Sequence, residues 1–227
     1  SMVTFSIEDF FSKKFEKEST NILLERPAYF SAIMMENYVY QLMCYGLEEY
    51  ISYMVANPNQ IEITTRDITQ LSSIDDCTTN MCRIMLDNNN QGFTLTEIAT
   101  NLHSDDSYKD NPVALTKYGE NQVKTACQMG LTILKNELWY LTGVGYVINN
   151  LPENVRTKYF AINLLRDPFY SKVILSLYEK ETNLRDFMGI LSESTQKRRS
   201  SSCQKVLAFY IKQCQVENIT INNLTFK

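Results

Sequence analysis

A mainly α-helical fold carrying small β-hairpins is what the sequence predicts, and three observations carry that expectation. Apolar residues recur at helical spacing along most of the chain, and several of these stretches open on recognisable caps. Only 7 glycines stand against 14 tyrosines and 11 phenylalanines, which argues against a glycine-rich nucleotide-binding α/β fold. Short β-prone pairs follow two of the helical stretches.

The elements follow in order. Ser6-Ile-Glu-Asp9 has the form of a helix start with acids in its first turn. Pro27 opens a second, long helix expected to run to about Val55, where Asn57-Pro58-Asn59 breaks it. Residues 5 to about 56 are dense in aromatic and methionine residues; core packing is the commoner use of such residues, and their density predicts an almost wholly helical segment that supports self-association. Thr64-Thr65-Arg66-Asp67 has the residues of a helix cap, and Asp75 to Leu86 reads as one helix stopping at Asn88-Asn89-Asn90-Gln91-Gly92. Thr94-Leu-Thr-Glu97 is a capping box, a threonine whose hydroxyl and a glutamate whose carboxylate serve each other's backbone. Residues 104–111 form a polar loop expected to be mobile. Pro112 then sits early in a helix ending at Gly130. Leu131 to Leu134 and Leu138 to Leu141 read as a hairpin around Lys135-Asn136, closed by Thr142-Gly143-Val144-Gly145.

Beyond residue 151 the plan repeats. Pro152 to Leu165 is a connecting helix, and Asp167-Pro168 caps the next one. Thr182 to Leu191 parallels Phe93 to Leu102, Ser194 to Cys214 is a long helix, and ENITI and NLTF after Val216 are β-prone. Two copies of helix, short helix, long helix and hairpin give three regions: a helical N-terminal region at 5–60, a first module at 61–151 and a second at 152–227. That element order is the order of a winged helix, so the expectation sharpens to tandem winged-helix (helix-turn-helix) modules preceded by an α-helical region.

Bulk properties narrow the function classes. The 227 residues are 44% hydrophobic and 21% charged, values of a globular chain of one or two domains. No apolar run approaches the roughly 18 residues a membrane span needs. The start lacks a basic and then apolar leader, and Ser1 before Met2 reads as a cloning remnant. A cytoplasmic protein is expected, with its six cysteines (Cys44, Cys77, Cys82, Cys127, Cys203, Cys214) as small reduced residues and the sequons at Asn218 and Asn223 as chance.

Catalytic chemistry is hard to find. No Glu-x-Lys or Asp-x-Lys occurs, the spacing that common metal-dependent nucleases use, and there is no HxxxH, CxxC, phosphate-loop or Gly-x-Ser-x-Gly pattern. The single histidine, His103, adjoins a polar loop and reads as solvated. No metal or cofactor is expected, and activity from this chain alone is not.

The charge pattern points elsewhere. Ser194 to Gln215 holds Lys197, Arg198, Arg199, Lys205 and Lys212 without an acid, in a chain of net charge -4. Overall acidity argues against coating nucleic acid, yet fields are screened over about 8 Å at physiological salt, so a basic helix acts locally. Helical spacing puts Val206, Phe209 and Tyr210 on one side and the basic residues at the start and flanks. A double-stranded DNA contact would use Arg198 and Arg199 on base edges or phosphates, and Lys197, Ser200, Ser201 and Lys205 on phosphates. In the first copy Lys117, Asn121, Gln122 and Lys124 would hold phosphates, although Lys109, Lys117 and Lys124 are offset by Asp105, Asp106, Asp110 and Glu120. The bland alternative is a solvated basic face.

Lys117-Tyr-Gly-Glu-Asn-Gln-Val-Lys-Thr-Ala-Cys-Gln-Met-Gly-Leu131, followed by Leu141-Thr-Gly-Val-Gly145, resembles winged-helix segments of bacterial restriction-modification and related defence proteins. Ser194-Thr-Gln-Lys-Arg-Arg-Ser200 and the helix after it are similar to the second module of such proteins, with Phe209 and Tyr210 as the aromatic pair. The family's usual histidine is Gln122 here. The resemblance covers about 93–213 and implies duplex-DNA binding in a restriction or defence system. Three functions therefore compete: a non-catalytic DNA-binding protein or subunit, a winged-helix protein-protein scaffold assembled through the aromatic N-terminal helices, and a regulatory piece of a larger nuclease. Partners would be double-stranded DNA, a further copy of the chain or a restriction-system subunit.

Overall fold

The structure, a computed structural model, describes residues 4–15, 29–68, 70–71, 73–103 and 110–227. It is mainly helical. In chain order the helices are α1 (Ile7–Phe11), α2 (Tyr29–Met43), α3 (Leu47–Ala56), α4 (Ile74–Cys77), α5 (Thr79–Asp87), α6 (Leu95–Leu102), α7 (Pro112–Gln128), α8 (Gly143–Asn149), α9 (Glu153–Asn163), α10 (Pro168–Glu179) and α11 (Glu193–Val216). Strands β1 (Thr132–Lys135) and β2 (Leu138–Leu141) form an antiparallel hairpin, and β3 (Thr182–Asn183) pairs in parallel with β4 (Leu224–Thr225). Two compact units arise, Ser1–Gln41 with Ser73–Arg156 and Leu42–Ser72 with Thr157–Lys227. They cut across the three regions expected at 5–60, 61–151 and 152–227, because the N-terminal helices are shared between them.

In the first unit, Ser6 and Asp9 exchange hydrogen bonds as a capping box at α1 (3.2 and 3.0 Å). Phe5, Phe15 and Tyr38 meet ring to ring at 4.8 to 5.0 Å. Among the described aromatic and methionine residues of this unit's N-terminal segment, Phe5, Phe10, Met35 and Tyr38 are buried, Phe11, Phe15 and Met34 are half-buried, and Tyr40 is exposed beside Ile33. The opening of the Pro27 helix lies outside the described residues, as do residues 104–109 of the polar loop.

The helix expected from Asp75 to Leu86 is broken at Thr78, whose φ of -117° and ψ of -96° leave the helical region while its hydroxyl bonds the Ile74 carbonyl at 2.7 Å. After α5 the chain turns through Asn89 in the left-handed conformation (φ 55°), and the Asn90 amide returns to the Met85 carbonyl at 2.8 Å. This is a Schellman closure made with asparagine. The Thr94–Glu97 capping box forms as expected and starts α6. Pro112 occupies the first turn of α7, capped by the Asn111 side chain. Gly130 (φ 79°) ends that helix, with Leu131 bonded back to Ala126 at 2.9 Å.

Helices α6 and α7 approach unusually closely at Gly119. A Cβ there would sit 2.2 Å from the Leu95 carbonyl oxygen, so only glycine fits. The hairpin forms one residue later than expected in its first strand, in the register Thr132↔Leu141 to Lys135↔Leu138. Its two-residue turn is Asn136-Glu137, both at positive φ, the twist that tight hairpins favour. Strand β2 gains further partners: Phe93 and Trp139 exchange backbone bonds, and the Asn90 side-chain amide pairs with both polar groups of Leu141. Thr142-Gly143-Val144-Gly145 does not merely close the hairpin. Thr142 caps a new helix, its hydroxyl accepting from the Gly145 amide at 3.1 Å.

In the second unit the helix expected to reach Val55 stops at Met43 and restarts at Leu47. Charge explains the break. Lys158 Nζ donates to the Tyr45 carbonyl at 2.8 Å, beside the end of α2, and Glu217 accepts from the Leu47 amide at 3.1 Å at the start of α3. A cation thus meets helix-end carbonyls and a carboxylate meets a helix N-terminus, each matched to the local dipole. Thr64 to Asp67 caps no helix: Asp67 accepts from the Thr64 amide and hydroxyl in a local turn. Asp167 caps α10 through the Phe169 and Tyr170 amides, with Pro168 in its first turn.

The second copy of the expected plan departs from the first. Leu184–Phe187 is a single 3-10 turn where a short helix parallel to Phe93–Leu102 is expected. ENITI forms no strand, because Asn218 (φ 56°) and Ile219 close the end of α11 by a second asparagine Schellman motif, Ile219 bonding Cys214 at 2.9 Å. Asn222 then bonds Leu177 through both backbone and side chain. The result is a short parallel ladder instead of an antiparallel hairpin.

Candidate nucleic-acid interface

Helix α11 carries the basic run. Ser192 caps it, and the first residue, Glu193, supplies the acid that suits a helix start. At 3.6 residues per turn its sides separate cleanly. Cys203, Val206, Leu207, Tyr210, Gln213 and Cys214 are buried, and Phe209 is half-buried. The phenols of Tyr178 and Tyr210 lie 3.0 Å apart, and burial pushes both well above the usual tyrosine range. Burial likewise pushes the Cys203 thiol up to about 11.

The opposite side is exposed and holds Lys197, Arg198, Ser201, Gln204, Lys205, Ala208 and Lys212. Arg198, Lys205 and Lys212 follow at intervals of seven, so they stand nearly in line. Among the described residues none of these three makes an ion pair. Lys197 lies 3.4 Å from Glu193, a pair whose side chains are 63% and 72% exposed and therefore weakly bound. Lys212 was not among the residues expected at the site. The seven-residue spacing was the signal that reaches it.

Two of the expected contacts face the wrong way. The Arg199 guanidinium turns to the other side of α11 and donates to the carbonyls of Thr65 (2.9 Å) and Ile68 (2.7 Å), fastening the irregular stretch before Leu71. Lys172 holds the same stretch through the Ile61 carbonyl at 2.8 Å. Arg199 is thus occupied as a structural donor instead of being available to a base edge. Ser200 is buried, and its hydroxyl bonds the Lys197 carbonyl at 2.8 Å. Helical geometry is the reason in both cases: one and two positions after Arg198 the side chain leaves the exposed stripe.

In the first unit the candidates on α7 also separate. Gln122 is fully buried, so it cannot reach a phosphate. Asn121 is half-buried, with its carbonyl bonded by Thr125. Lys117 and Lys124 are exposed, but both bind Glu120, at 2.8 and 2.5 Å. Those hydrogen bonds hold the Glu120 carboxyl below the usual range. This face therefore carries one net positive charge where α11 carries several.

His103 packs edge-on against Tyr118 with ring centroids 4.3 Å apart, and Tyr118 donates to Asp76. The histidine is thus half-buried, with one side against an aromatic ring. Cys77 and Cys82 are buried, the thiol of Cys82 being pushed up to about 12. Among the described residues no three His, Cys, Asp or Glu side chains gather as metal ligands, and no helix is long and apolar enough to cross a membrane. Comparison with protein-family models, with curated proteins and with solved structures finds no match to the chain.

Proposed function

We propose that the chain is a non-catalytic double-stranded DNA-binding protein or subunit, serving a restriction or defence system as the resemblance over 93–213 implies. The observation that carries this reading is the exposed face of α11, where Lys197, Arg198, Lys205 and Lys212 share one side with no carboxylate after Glu193. A field of one sign over a long helix attracts a polyanion even when the whole chain is slightly acidic. The first unit supports the winged-helix part of the proposal. Its order α5, Phe93, α6, α7, hairpin, with Phe93 bridged to β2, is that of a winged helix with α7 as the third helix. The second unit is read as a divergent module that keeps the long helix and lacks the wing.

One observation favours a scaffold role for the first unit. Its α7 face is nearly neutral and exposes Val113 at 78%, while the hairpin exposes Leu134 at 52%, a surface better suited to a protein than to phosphates. Immobilised random-sequence duplex tests the leading reading. The protein is expected to be retained at low salt and released as salt rises. Passage through the column at every salt concentration would leave the scaffold reading in its place.

A further inference from the structure

The position of Arg199 and the line of cations on α11 deepen this reading, on which the following rests. We infer that α11 lies side-on along the sugar-phosphate backbone of duplex DNA and does not read sequence with its N-terminal end. Three observations converge. Of the two arginines that start the helix, Arg199 is committed to the Thr65 and Ile68 carbonyls, so the bidentate donors for base recognition are halved. The remaining cations are distributed along the helix instead of at its tip, with Arg198, Lys205 and Lys212 about 10.5 Å apart at 1.5 Å per residue. That spreads the charge along the helix, each interval covering a length in which one strand of B-DNA, at about 3.4 Å of helix axis per phosphate, carries about three phosphates.

The third observation concerns what the stripe lacks. Its members are Lys197, Arg198, Ser201, Gln204, Lys205, Ala208 and Lys212, with no aromatic side chain among them. Binding of single strands relies on aromatic platforms for unstacked bases. A face of cations and small polar groups instead fits the regular phosphates of a duplex, and such contacts are independent of sequence.

The test is a set of anisotropy titrations of the full chain with two duplexes of unrelated sequence and one single strand, over about 50 to 200 mM salt. With four cations neutralising phosphates at about -0.9 each, the expected log-log slope is about -3.6, so binding weakens roughly 150-fold across that range. The two duplexes are expected to bind alike and the single strand more weakly. The double substitution K205A/K212A is expected to halve the slope to about -1.8 while leaving the circular dichroism spectrum unchanged, since both side chains are exposed. K180A, which removes an exposed lysine at the end of α10, is expected to leave the slope as it is.

Preference for one duplex by more than about 1,000-fold, the lower end of the usual range of specific recognition, would overturn the side-on contact while keeping DNA binding. So would duplex binding whose slope K205A/K212A does not change. Tighter binding of the single strand would overturn the duplex assignment. Absence of binding to any of the three at the lowest salt would remove the DNA-binding function itself.

Discussion

Phe93–Leu102 and Thr182–Leu191 invite comparison, because the two stretches share a pattern in sequence and diverge in structure. Thr94 accepts from the amide three residues on, and Glu97 reaches back to the Thr94 amide, so two helix-start donors are satisfied and α6 continues for two turns. Asn183 instead accepts from Arg185, two residues on, and also from the Lys227 amide. That local turn draws the chain into a 3-10 geometry, and Gly189 follows too soon for a helix to propagate. The later elements follow suit. Asn136 and Glu137 both take positive φ and turn one strand directly into the next, whereas Asn218 uses the same conformation to end a helix. A repeated apolar pattern therefore fixes where segments pack, while one polar side chain at the start decides what each segment becomes.

Substituting Gly119 should separate the units most sharply. G119A places a Cβ against the Leu95 backbone, which flexible side chains cannot relieve, and is expected to destabilise the first unit by about 3 kcal/mol. Cys77 and Cys82 lie in that unit and Cys203 and Cys214 in the other, all four buried, while Cys44 and Cys127 are exposed. Thiol labelling should show faster reaction at Cys77 and Cys82 alone. Equal acceleration at all four would mean that the units open together.

R199A makes the reciprocal break. Losing a charged donor to two carbonyls is expected to cost about 2 kcal/mol, near the lower part of the usual range because one contact is exposed. Labelling of Cys203 should then accelerate, and R198A, three-dimensionally on the other side of α11, should change stability by less than about 0.5 kcal/mol. Equal melting of the two variants would show that the Arg199 contacts contribute nothing. T94A removes the capping box and is expected to cost about 1 kcal/mol, measured by denaturant midpoint. An unchanged midpoint would shift the weight from the cap to the close packing at Gly119.

The smallest effect concerns the α7 surface. Because the folded Glu120 carboxyl is lowered, its pairing with Lys117 and Lys124 stabilises above the ordinary glutamate value of about 4.3 and is lost as pH falls through the lower folded value. E120Q should thus melt slightly earlier than the parent near neutral pH, by an amount corresponding to about 0.5 kcal/mol, with the difference vanishing in acid. A gap that widens in acid would reverse the assignment.

These contrasts also show what the sequence made legible. Caps were readable at Ser6, Thr94, Pro112 and Asp167, since each relies on a residue type at a fixed offset from a helix start. The hairpin was legible to within one residue. Breaks at Thr78 and between Met43 and Leu47 were not: the first rests on a local bond of a threonine hydroxyl to the Ile74 carbonyl that a helix interior also allows, and the second involves Lys158 and Glu217, which only folding brings near. The site was half legible. The basic run named its helix, and helical geometry alone carries Arg199 and Ser200 off the exposed stripe, but the carbonyls of Thr65 and Ile68 that hold the Arg199 guanidinium lie far away in sequence. Burial of Gln122 was hidden for the same reason, as a polar residue on an amphipathic helix gives no sign of facing inward.

The division of the chain into interleaved segments has a consequence for its synthesis. Residues 42–72 emerge from the ribosome well before 157–227, the segment that completes their unit. In the interval Ile51, Met54, Ile68 and Leu71, all buried in the finished molecule, belong to a unit that is still incomplete, while the other unit has its last segment once Arg156 has been made. Newly made chains of this protein therefore pass through a stage with one unit complete and the other lacking its larger segment, the stage at which a chaperone has most to hold.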